Sequence, residues 1–94
     1  MLSIRRLVWD EWNVAHIARH QVIPQEVEEV CHGDPLVQQG KKGRLVLVGP
    51  TATGRILEVV LDPEGRGMYY PVTAFPASRK DRALYQQHKG GNQP

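Results

Sequence analysis

The chain reads as an α+β domain: an antiparallel sheet, made of a four-strand meander plus an N-terminal strand, with two N-terminal helices and a C-terminal helix. Three observations predict it. Two early segments carry apolar residues at helical spacing behind helix-start residues. Four later runs switch to β-type residues separated by links of hairpin length. A serine with an aspartate three residues on then opens a last helix. The order β-α-α-β-β-β-β-α predicts helices covering one face of the sheet.

Ile4–Trp9, rich in β-branched and aromatic residues, predicts the first strand. Asp10 suits the N-cap of a helix over Glu11–His20, because its carboxylate accepts unpaired amide hydrogens of the first turn. Val14, Ile17 and Ala18 form its apolar stripe, flanked by Trp12, Ala15 and Arg19. Pro24 suits the first position of a second helix, and Glu26, Glu28 and Glu29 cluster near its positive end. Val27, Val30 and Cys31 supply its inward face; Gly33 offers a left-handed stop before Asp34-Pro35.

Leu36–Gln39, Arg44–Gly49, Arg55–Asp62 and Met68–Phe75 are the four meander strands. The links 40–43, 50–54 and 63–67 are turn chemistry, and links this short force antiparallel neighbours. The third run is apolar on both faces but for Glu58, which predicts a central place. Pro71 cannot donate to a ladder, so its strand has an edge or a bulge there. Ser78 and Asp81 then cap a helix over Arg79–His88, whose thin apolar face predicts weak docking. The domain spans residues 1–89, and 90–94 read as a flexible tail.

At 94 residues the chain has room for one core. It buries roughly 60–65% of its unfolded surface, a margin that favours life in a complex. A 40% hydrophobic and 23% charged composition excludes disorder and coiled coil. Apolar runs such as Leu45–Val48 are far short of a membrane span, and no secretory signal is visible. The lone Cys31 fits a reducing cytoplasm.

Net charge is +2, but it is unevenly spread: residues 1–39 hold three basic and six acidic groups, and 40–94 hold nine and four. A basic second half suggests an anionic partner. Its basic and aromatic set is Arg44, Arg55, Arg66, Tyr69, Tyr70, Arg79, Lys80, Arg82 and Tyr85. Arg79, Arg82 and Tyr85 follow an i, i+3, i+6 stripe. Arginine forks suit phosphate and tyrosine rings stack on unpaired bases, so Arg44, Arg55, Tyr70 and Lys80 are candidate RNA contacts. The plainer alternative is a solvated helix face with Tyr85 as a partly buried anchor.

Other chemistries find little footing. There is no Gly-rich phosphate loop between strand and helix, no Gly-x-Ser-x-Gly elbow, and no carboxylate pair spaced for glycoside hydrolysis. His16 and His20 stand four apart, a spacing that suits zinc, and Cys31 and His32 could complete a set of four. Cys31 equally fits a buried helix face, and no metal or cofactor is expected.

Trp9-Asp10-Glu11 with Asn13, then Arg19-His20 and Val22, resembles the first helix of the BrnT-type toxins of bacterial type II toxin–antitoxin pairs. Asp34-Pro35 looks like that family's Asp-Pro turn. Thr73-Ala74, Ala77, Lys80-Asp81-Arg82 and Tyr85 look like its closing block, so the resemblance runs from Leu7 to Tyr85. It implies a RelE-like fold and a metal-independent ribonuclease. It also implies a cognate DNA-binding antitoxin of ribbon-helix-helix type, in a heterotetramer, or a homo-oligomer. In that mechanism a base takes the proton of an RNA 2′-hydroxyl and an acid protonates the leaving 5′-oxygen, while cations stabilise the phosphorane. His20 becomes the candidate base or acid, Arg79 and Arg82 the phosphate clamps, and Tyr85 a support or stacking group.

The chain departs from the family pattern at Phe75, which replaces an arginine. It departs again at Tyr69, Tyr70 and Pro71, where another arginine is usual, and at Gln21, which replaces a glycine. Aromatics in place of cations suit a dry interface. The alternative function is therefore a catalytically decayed member acting as a protein-interaction module.

Overall fold

The structure, a computed structural model, describes residues 3–91. Its elements are β1 (Arg6–Leu7), α1 (Glu11–Ala18), α2 (Pro24–His32), β2 (Leu36–Gln39), β3 (Leu45–Pro50), β4 (Ile56–Gly65), β5 (Met68–Pro76) and α3 (Arg79–Gly91), with a short 3-10 turn at Lys41–Gly43. The α+β class holds. β4 is central in the sheet order β1-β5-β4-β3-β2, and the last four strands form the antiparallel meander. The N-terminal strand is shorter than Ile4–Trp9 and runs parallel to β5, pairing Arg6 with Met68 and Leu7 with Tyr69.

Pro71 sits at a bulge. Val60 pairs with Thr73 while Leu61 pairs with Pro71, which leaves Val72 as the extra residue. The β4–β5 turn is tighter than the Pro63–Gly67 link read from the sequence, since β4 continues to Gly65. Arg66 and Gly67 make the turn, both with positive φ, as a two-residue hairpin requires.

Alternation along β3 and β4 sends apolar side chains to both faces. Leu47, Leu57, Val59 and Leu61 join Ala74, Ile17, Val27, Val30 and Cys31 in the main core under α1 and α2. Val48 and Ile56 point the other way, where Ala77 and Tyr85 meet them in a small second cluster. Helix α3 therefore lies on the opposite face from α1 and α2, which corrects the one-face expectation. The physical reason is the doubly apolar β3–β4 pair, which needs cover on both sides. Helix α3 also runs to Gly91, past the expected end at His88 and two residues into the segment read as a tail; 92–94 lie outside the described residues.

The inward face of α1 differs from the expected stripe. Asn13 and Ile17 are its buried residues, while Val14 and Ala18 face solvent. Asn13 is fully buried because the backbone needs it. Its Nδ2 donates to the carbonyls of Val8 (3.0 Å) and Pro71 (3.2 Å), and its Oδ1 accepts from the Asp10 amide (2.9 Å). Asp10 returns the favour as N-cap, accepting from the Asn13 amide, a bond that holds its carboxyl below the ordinary range.

After α1 the chain turns at Gln21, whose φ of 61° is left-handed. Helix α2 begins at Pro24 as expected, with Val27, Val30 and Cys31 inward. Its stop is not left-handed: Gly33 has φ −87° and ψ −136°. Gly33 fits because a Cβ there would lie 3.0 Å from the Glu29 carbonyl oxygen.

Candidate nucleic-acid interface

Helix α3 starts where the sequence places it. The Ser78 hydroxyl accepts from the Asp81 amide (3.1 Å), and the Ala77 amide donates to the Ile56 carbonyl (3.0 Å), which pins the link to β4. Arg79 and Arg82, one helical turn apart, then project over a cavity of about 510 Å3. Its other walls are Gly54–Ile56, Pro76-Ala77, Ala83 and Gln86. Arg55 thus joins Arg79 and Arg82, although some twenty-four residues separate them in sequence.

Arg55 is held in place by the N-terminal half of the chain. Its Nη1 donates to the Gln21 carbonyl (2.7 Å) and meets the Glu26 carboxylate (3.3 Å), and its Nη2 reaches the His20 carbonyl (3.5 Å). Glu26 thus neutralises Arg55. Among the described residues, neither Arg79 nor Arg82 has an ion-pair partner, so they carry the positive charge of the groove.

His20 is tied to the groove through that carbonyl. Its exposed ring meets the edge of Phe75, with centroids 5.9 Å apart, and Phe75 precedes Pro76 of the groove wall. On the helix side His20 meets His16 at 5.7 Å, and His16 stacks on Trp12 at 4.9 Å and 6°.

One further group lies close by to which the sequence reading gave no chemical role. Glu58 stands across the β4–β5 ladder from Phe75 and beside Asp81 of α3. Desolvation first, and then the Asp81 carboxyl, push the Glu58 carboxyl up to about 7. The available signal was its isolation, as the one carboxylate in the apolar run Ile56–Leu61.

No family model matches the chain, and no curated protein or solved structure matches it. The chemistry of the groove stands on its own side chains. Two unneutralised guanidiniums in the groove can clamp a phosphate, while the His20 imidazole and the Glu58 carboxyl, outside its lining, both neighbour Phe75 and are groups able to give or take a proton.

The remaining expected site residues lie elsewhere. Tyr85 is only 5% exposed and packs with Val48 and Ala77, so it anchors α3 and its ring cannot stack on a base. Arg44 pairs with Asp62 (4.0 Å) at the opposite end of the β3–β4 pair from Arg55. Tyr70 donates to the Asp10 carboxylate (3.0 Å), near the same end as Asp62. Lys80 is exposed on α3 and does not line the cavity.

A second cationic hollow of about 360 Å3 is lined by Arg5, Arg6, Arg66 and Met68. The parallel β1–β5 pairing brings Arg5 and Arg6 out of the acidic half of the sequence to join Arg66.

The four residues with zinc-like spacing are not brought together. Cys31 is buried, and burial pushes its thiol up to about 12, while His32 contacts Glu28 (3.1 Å). Among the described residues, no group of three or more His, Cys, Asp or Glu side chains could hold a metal ion, and no helix is long and apolar enough to cross a membrane.

Proposed function

We propose that the chain is a BrnT-like toxin-family protein of the cytoplasm, a metal-independent ribonuclease that cleaves RNA by 2′-hydroxyl attack. One observation carries the reading: Arg79 and Arg82 share a groove with Arg55, which in turn holds the segment that presents His20. The two free guanidiniums bind the scissile phosphate and stabilise the charge that grows on its oxygens. His20 and Glu58 flank Phe75 and are the two proton-transfer groups. One takes the 2′-hydroxyl proton as the 2′-oxygen bonds to phosphorus; the other protonates the departing 5′-oxygen. The products are a 2′,3′-cyclic phosphate and a 5′-hydroxyl. Tyr85 supports this site from the core. A ribbon-helix-helix antitoxin is the partner of the toxin reading, in a heterotetramer or with a homo-oligomer of this chain.

The test is RNA incubated with the protein in the presence of a chelator. Fragments should end in 2′,3′-cyclic phosphate. Arg82→Ala should slow cleavage roughly 100- to 1,000-fold, the loss typical of one electrostatic donor. Cleavage unchanged in both Arg82→Ala and His20→Ala would refute the site.

A second reading, a decayed family member serving as a protein-interaction module, has its own support. Phe75 stands where the family pattern has a cation, and Trp12, Val14 and Ile23 leave apolar surface exposed around α1. RNA left intact, together with a tight protein complex, selects this reading.

A further inference from the structure

The row Trp12–His16–His20–Phe75 is not accounted for by folding. Trp12 is 57% exposed, and its ring lies flat on His16, 4.9 Å away, so one face is covered and the other is open. His16 and His20 continue the row edge to face, and Phe75 ends it one residue before Pro76, which lines the arginine groove. The row and the groove share a fixed joint, because Arg55 binds the carbonyls of His20 and Gln21 from within the groove.

From this continuity we infer that the Trp12–His16–His20–Phe75 row is a base-stacking track that selects single-stranded RNA for the arginine groove. The inference rests on the RNA reading above and names its substrate class. The open face of Trp12 offers a surface for the flat face of any base, the rings after it continue the aromatic surface edge to face, and Arg79 and Arg82 take the phosphate that follows. In a duplex the base faces are covered by their neighbours, so such a track has nothing to hold.

The charges agree with this division of labour. Glu11 adjoins Trp12 in sequence, which suits a base better than a phosphate at that end. The unneutralised arginines stand at the other end. A protein partner on Trp12 would use its exposed area equally well, but it would not need a row that leads into a cationic groove.

The experiment measures binding of a fluorescently labelled single-stranded 2′-O-methyl RNA 12-mer, which lacks the attacking hydroxyl, and of a blunt duplex of the same chemistry and length, by anisotropy at several salt concentrations. Wild type should prefer the single strand. Trp12→Ala should weaken single-strand binding roughly 5- to 100-fold and leave duplex binding and the salt slope unchanged. Arg82→Ala should instead flatten the slope of log K against log salt by about 0.7, the share of one single-strand phosphate. His16→Ala, which keeps Trp12 but removes the ring beneath it, should also weaken single-strand binding. Thermal melts of the variants guard against misfolding, which the exposure of Trp12 makes a small risk.

Equal binding of duplex and single strand, or an unchanged Trp12→Ala, overturns the track while leaving an RNA-binding groove intact. Failure of wild type to bind either RNA removes the ribonuclease reading and the track together. A wild type that self-associates through Trp12, with Trp12→Ala monomeric, overturns the track in favour of a protein interface.

Discussion

Replacing Asn13 with alanine separates the observed inward face of α1 from the apolar stripe that periodicity suggests. The substitution removes two donors and one acceptor, leaving the carbonyls of Val8 and Pro71 and the amide of Asp10 without their partners. The bond to Pro71 is buried and the other two are partly so. A buried group left unpaired costs about 1–3 kcal/mol, and the half-wet ones fall at the low end, for a total of about 3 kcal/mol. Domains of this size are stable by roughly 5–14 kcal/mol, so the loss is a large part of the whole. At about 4–8 °C per kcal/mol, Tm should fall by roughly 12–24 °C. Val14→Ala, one residue on and facing solvent, should stay within about 0.5 kcal/mol of wild type. Circular-dichroism melts and urea titrations of the two variants read the difference. If Val14→Ala costs more than Asn13→Ala, α1 docks by the periodic stripe and the buried amide network is wrong.

Gln21→Gly should raise stability by about 0.5–1 kcal/mol. It relieves a left-handed non-glycine residue, worth roughly 1–2 kcal/mol, against the extra chain entropy of glycine; a fall in the urea midpoint would contradict this. Glu58 has a folded value of about 7, above its ordinary 4.5, so its proton is bound more tightly in the native state. That stabilisation is complete below about 4.5 and is lost as pH rises through about 7. Urea midpoints should therefore fall between pH 5 and pH 8 in wild type, and fall less in Glu58→Gln. Tyr85→Ala should cost roughly 3–5 kcal/mol as a large-to-small core change, whereas Tyr85→Phe should melt near wild type and cleave RNA at an unchanged rate. Slowed cleavage in Tyr85→Phe would put the phenol in the chemistry.

The meander was legible because its signals are local. β2 matches the expected Leu36–Gln39, and the other three strands start or end within three residues of expectation, where alternation meets turn residues. The bulge at Pro71 was legible for a similar reason, since a missing amide can be read from one residue type. Less legible was any feature that depends on register between distant segments. Asn13 looks like an ordinary surface residue until Pro71, 58 positions away, presents it with a carbonyl. The side of the sheet that α3 covers was hidden because β3 and β4 are apolar on both faces.

The candidate site divides along the same line. Arg79 and Arg82 were visible as a pair from helical spacing alone. The anchoring of Arg55 by Glu26 and by the turn after α1 required the packing of α2 on the sheet. Glu58 required the register that sets it opposite Phe75 and beside Asp81. Arg44 and Tyr70 share residue types with the groove, but the strands carry them to its far end, where acidic side chains occupy them.

The parallel docking of Arg6-Leu7 beside Met68-Tyr69 bears on how the polypeptide emerges from the ribosome. Leu7 is made some sixty residues before its pairing partners, so β1 must wait for them before it has a place to bind. Until it arrives, the outer rim of β5 lacks a neighbour and can recruit another chain. Bulky fusions placed ahead of Arg6 should therefore slow maturation and favour aggregation during expression, whereas the finished fold buries Leu7 and closes that rim at Met68 and Tyr69.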